Sequence, residues 1–157
     1  MTIFETARFS LPLLAAGQAH KELFHNDALI LLDFLVHPVV EAIANDPQSL
    51  SPVAGQCWLV GLAAIGEWSG RENQIAGWSA GGWHFIKPQK SMKITVRETN
   101  QLALYREDGW WFNADITTPT GGNNIDSEAR SAIDSILAAL KVTGILPEIG
   151  QNDSGLS

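Results

Sequence analysis

The chain carries a single cysteine, Cys57, among 157 residues. One thiol excludes an intrachain disulfide framework and a cysteine-based zinc site, and Cys57 reads as a small buried hydrophobe rather than a nucleophile. Cations are also scarce, with ten Lys and Arg against seventeen Asp and Glu for a net charge of −7. Affinity for a phosphate backbone comes from clustered cations that release counterions, so nucleic acid is not an expected partner. Charged residues of both signs reach only 17%, while hydrophobic residues make up 45%, a balance that excludes a disordered chain and leaves surface for partners to cover. Long apolar runs are missing as well. Leu11–Ala16 is short and holds Pro12, and Met1–Ser10 carries Glu5 and Arg8. Neither a signal peptide nor membrane insertion is expected, and synthesis in the cytoplasm follows. Against these shortages stands one excess, six tryptophans. The length suits one domain with a sizeable core.

Residues 7–17 read as an extended lead-in, because Pro12 lacks an amide donor and pushes Leu11 out of helical geometry. The strongest part of a helix follows from Asn26, a good N-cap, with Ala28, Leu29, Leu31, Leu32, Leu35 and Val36 as a broad apolar stripe. Pro38 ends it near His37, and Val39–Ala44 reads as a short strand. From Gln56 to Phe112, short aromatic and β-branched runs alternate with glycine turns, the pattern of an antiparallel meander with strands near 57–61, 73–79, 82–87, 92–98, 102–106 and 110–112. Residues 117–124, rich in Gly, Asn and Pro, read as a flexible linker. A second helix is capped by Asp126 or Ser127, carries Ile133, Ile136, Leu137 and Leu140 at i, i+3, i+4 and i+7, and stops at Gly144 with Ile145 closing the cap. A tethered helix this short needs a partner, so residues 125–146 are expected to assemble with other copies through those four side chains. The fold class is α+β: residues 1–116 form an N-terminal helix packed on an antiparallel β-meander, followed by the linker, the C-terminal oligomerisation helix and a disordered tail at 147–157.

No catalytic constellation stands out. Gly77-Trp78-Ser79-Ala80-Gly81 matches the nucleophile-elbow pattern, yet Gly82-Trp83-His84-Phe85 continues as strand where an elbow needs a helix. Ser79 therefore reads as a hairpin-turn residue, with a small hydrolase as the outlying alternative. His20 and His25 are five residues apart and diverge on a helix, so no metal site or cofactor is expected; Glu22, Asp27 and Asp33 read as solvated or capping carboxylates. Lys87, Lys90, Lys93, Arg97 and Arg106 read as a solvated, charged strand face opposed locally only by Glu98. Trp58, Trp78 and Trp83 read as core. Trp110 and Trp111 are adjacent on a strand and point to opposite faces, so a one-sided core holds only one of them. Together with Trp68, in a glycine-flanked segment, and Tyr105, they are the candidate contacts for a sugar ring or a partner surface.

Two stretches carry a family resemblance. LPLLAAGQAHKELFHNDALILLD (11–33) and GEWSGRENQIAGWSAGGWHFIKP (66–88) are similar to the patterns LPLLAAGQAQK…HNEALALLD and G-x-W-x-G-x-x-x-x-I-A-x-W…G-x-W-x-F-x-x-P. His20 stands in place of Gln, and Phe24 where Thr is common. This resembles a domain-of-unknown-function family encoded by tailed phages, prophages and gene transfer agents of alphaproteobacteria, over roughly residues 7–112. DSEARSAIDSILAALKVTGIL, at the other end, looks like the short helix that closes phage fibre proteins. The resemblance implies a virion component without catalytic residues: a homo-oligomeric spike base or tail-fibre subunit, trimeric or pentameric, that docks on other virion proteins and takes part in host attachment. A carbohydrate-binding module for host surface polysaccharide is the alternative.

Overall fold

The structure, a computed structural model, describes residues 4–17, 21–114, 116–118, 120–121 and 126–146. Helix α1 (Lys21–Leu35) leads into β1 (Val39–Val40), β2 (Ile43–Ala44), β3 (Cys57–Val60), β4 (Ile75–Ser79), β5 (Gly82–Ile86), β6 (Lys93–Val96), β7 (Gln101–Tyr105) and β8 (Trp110–Phe112), and helix α2 (Ser127–Val142) follows. The fold is mixed α+β, and the strands from 57 to 112 lie within two or three residues of their expected positions.

The single meander is corrected to two four-stranded sheets, ordered β1-β6-β7-β8 and β2-β3-β4-β5. Pairings along β3-β4-β5 and β6-β7-β8 are antiparallel, but β1 runs parallel to β6 and β2 parallel to β3. The cause is the expected single strand at Val39–Ala44, which changes sheet halfway. Arg97 N–H donates to Val40 O at 2.8 Å, whereas Glu41 N–H donates to Cys57 O at 2.7 Å and Leu59 N–H to Ala42 O at 3.0 Å.

Alternation then distributes the side chains. Cys57, Leu59, Ile75 and Ile86 from one sheet meet Val40, Ile94, Val96, Ala103 and Trp110 from the other, and Phe34 of α1 joins this core. Gly77 is obligatory here because a Cβ would stand 2.5 Å from the Phe34 ring. On the other face of the second sheet, Trp58, Val60 and Ala76 form a second cluster covered by Trp68. Every residue of β3 is buried as a result.

Two expectations for α1 are corrected. Its described residues, Lys21–Leu35, place Asn26 inside it, with the Asn26 amide bonded to both Leu14 N at 2.9 Å and Leu14 O at 3.0 Å. The expected stripe is also split: Leu31 and Leu35 pack against the core beside Phe34 and Leu29 is half-buried, whereas Ala28, Leu32 and Val36 are exposed, and the buried residues of the helix are Glu22, Asp33 and Phe34. Residues 4–14 are held by a bridge between Glu5 and Pro12 and lie against α1. Helix α2 is built as its sequence indicates. Asp126 accepts from Ala129 N–H at 2.9 Å, and at Gly144 (φ +70°) the amides of Gly144 and Ile145 close on Lys141 O and Leu140 O. The proposed linker at 117–124 lies partly outside the described residues, and the tail at 147–157 wholly so.

Candidate functional site

The β4–β5 hairpin turns through Ala80 and Gly81, pairing Ser79 with Gly82 and Gly77 with His84. Ser79 and His84 are thus diagonal neighbours on one face, and the register brings Ser79 Oγ to 2.7 Å from His84 Nε2. Gly81 N–H donates to the same Oγ at 3.0 Å. A cleft of about 190 Å³ opens beside the pair, lined also by Glu5, Asp27, Asp33 and Gly55. It is smaller than the roughly 300–1,000 Å³ usual for small-molecule sites. Acyl transfer also needs an acid behind the histidine and donors aimed at the developing oxyanion. Among the described residues no carboxylate bonds His84, and Gly81 N–H is directed at the serine itself.

Asp33, expected as a solvated or capping carboxylate, is instead buried. It accepts from Thr6 Oγ1 at 2.7 Å, Arg8 N at 2.9 Å and Phe9 N at 2.9 Å. Arg8 in turn donates to four carbonyls, those of Gly55, Phe34, His37 and Val39, and stacks over Phe34. These two residues bolt the N-terminal segment to both α1 and the β1 entry. Among the described residues no three His, Cys, Asp or Glu side chains form a metal-binding group, and His20 lies outside them. No helix among them is long and apolar enough to cross a membrane.

Of the four candidate contact aromatics, two are corrected to core. Trp68 is 0% exposed: the 3₁₀ turn Gly66–Trp68 folds it onto the second sheet, edge-on to Trp83 at 5.0 Å. Trp110 is buried, with its indole N–H on Asn73 O at 2.8 Å and its ring against Tyr105. Tyr105 is half-buried. Trp111 alone stands out, 49% exposed, with Arg106 stacked 4.5 Å from its ring centre and its N–H 3.1 Å from Asp108. Sequence reasoning missed that Trp78, Trp83 and Phe85 are only half-buried, with Arg71 4.7 Å over Phe85. Their shared parity across the β4–β5 register was the available signal. The basic stretch is less bare than its local sequence suggests, because Lys90 pairs with Glu107, and Arg97 lies 3.4 Å from Glu41.

The four-residue seam of α2 is divided. Leu137 is buried within its own chain and Leu140 half-buried, whereas Ile133 and Ile136 are exposed. The helix end is moored where Leu102 N–H donates to Gly144 O at 3.1 Å and the Asn113 amide to Ile145 O. The expected seam is corrected to the extent that Leu137 turns inward.

No curated protein matches the chain. A family model described as protein of unknown function (DUF2793) matches residues 25–111, more than half of the chain, from within α1 into β8. The residues that build the two-sheet core, the tryptophan cluster and the Ser79–His84 hairpin all fall inside that span, and the chain belongs to the DUF2793 family.

Proposed function

We propose that this chain is a non-enzymatic structural subunit of a phage or phage-like particle of alphaproteobacteria, a homo-oligomeric spike base or tail-fibre subunit that takes part in host attachment. The observation that carries the reading is the divided stripe of α2: Leu137 holds the helix to its own chain while Ile133 and Ile136 face solvent. Exposed branched aliphatics on a moored helix lose apolar area to water that a neighbouring copy would recover. The resemblance of the 11–33 and 66–88 segments to virion proteins supports the particle setting. Sedimentation of the full chain is expected to show a defined oligomer that Ile133→Asp with Ile136→Asp converts to folded monomer. A wild-type monomer at high concentration, together with absence of the protein from purified particles, overturns the reading.

A second reading is favoured by Trp111. Its ring is held by Arg106 and Asp108 and is half exposed, an arrangement suited to a pyranose of host polysaccharide. Trp111→Ala is expected to abolish retention on host surface polysaccharide with the circular dichroism spectrum unchanged; equal retention refutes it.

A further inference from the structure

The outward side of α1 is an apolar ridge. Phe24, Ala28, Leu32 and Val36 recur every four residues, each step advancing about 40° around the helix, so they follow one side from end to end. All four are exposed, Phe24 at 81% and Val36 at 65%. The charge on that side is Lys21, which is exposed. The helix's carboxylates lie elsewhere: Glu22 and Asp33 are buried, and Asp27 lines the cleft beside Ser79. The outward side of α2 is its complement in size and charge. It presents Ala129, Ala132, Ile133, Ile136 and Ala139, with Glu128 as its charge, while Arg130 and Lys141 sit half-buried on the flank of Leu137.

We infer that the ridge of α1 receives the outward face of α2 from a second copy of this chain. The inference rests on the self-association proposed above and specifies its geometry as head-to-tail. Large side chains of α1 meet the small ones of α2, and Lys21 at the start of one helix meets Glu128 at the start of the other. A contact of α2 with α2, or of α1 with α1, in the same orientation opposes like charges instead. Area argues the same way. A single exposed apolar patch measures roughly 300–600 Å², short of the about 800 Å² per partner of a stable interface. Head-to-tail contact engages two faces of every copy, and it closes into rings when the rotation permits.

Two single variants of the full chain, Phe24→Cys and Ile136→Cys, test this, both at exposed positions, with native Cys57 buried and silent. One variant is tagged, the two are mixed, and a short bismaleimide is added. The expected product joins residue 24 of one chain to residue 136 of another. Products joining 136 to 136 alone overturn the inference while leaving self-association through α2 standing, and products joining 24 to 24 alone overturn it too. No product from a chain that sediments as a monomer overturns both. In the same assay Lys21→Glu is expected to weaken association about two- to five-fold, as for an exposed ion pair, and Glu128→Lys added to it to restore association.

Discussion

A carboxylate with almost no water around it must be paid in hydrogen bonds, and Asp33 has three donors, one hydroxyl and two backbone amides, all from the segment Thr6–Phe9. Asp33→Asn turns one acceptor into a donor facing donors. The expected loss is about 1–3 kcal/mol in urea unfolding, with faster proteolytic cutting within residues 5–13 while α1 stays protected. Cys57 is governed by burial in the same way. Desolvation, partly offset by Arg8, raises its thiol pKa from 9.0 to about 11. Below about pH 9 both folded and unfolded chains hold the proton; between 9 and 11 only the unfolded chain releases it, so stability falls across that window. Cys57→Ser is expected to flatten this alkaline slope, and the native thiol to resist a disulfide reagent at pH 8 until the chain unfolds. Parity made one residue-scale outcome legible, the splitting of Trp110 and Trp111 between core and solvent. Trp68 was illegible, because a glycine-flanked 3₁₀ turn has no periodicity to show which way its side chain points.

At the scale of elements, local chemistry decided α2 and tertiary chemistry decided α1. The Asp126 cap and the Gly144 stop are bonds between residues close in sequence, so they could be read directly. Asp126→Ala is expected to cost about 1 kcal/mol of helix stability, seen as faster amide exchange over residues 127–131 with the sheets unaffected. In α1 the apparent cap Asn26 instead brackets Leu14, twelve residues away, and only Leu31 and Leu35 of the expected stripe reach the core, because Asp33 and Asn26 bind the N-terminal segment and leave Ala28, Leu32 and Val36 outside. Nothing local shows which half of a broad apolar stripe packs inward when buried polar residues on another side fix the helix's rotation. The 3₁₀ turn carries more energy than its three residues suggest, since Trp68 closes the outer face of the second sheet. Trp68→Ala is expected to destabilise the fold by about 3–5 kcal/mol and to redshift the emission of the remaining tryptophans as Trp58 and Trp83 lose their cover.

For the molecule as a whole, the segment Pro38–Ala44 joins the two sheets, and its two-residue strands are too short to carry a pattern, which is why two sheets read as one meander. Its first half bonds β6 through Pro38 O and Val40 O, and its second half bonds β3 through Glu41 N, Ala42 O and Ala44 O. Val40 is buried between the sheets, and Phe34 and Trp110 belong to the same core. Neither sheet can lose this segment and keep its inner face dry, so the two are expected to melt as a unit. Amide exchange at β4 reports the second sheet, and amide exchange at β7 reports the first. Val40→Ala removes two methyl groups from that shared core and is expected to cost about 2 kcal/mol. The midpoints of both reports should fall together by the same amount. Two separated transitions, with only one of them moved by Val40→Ala, would mean that the sheets fold independently and that the crossing strand is merely a connection between them.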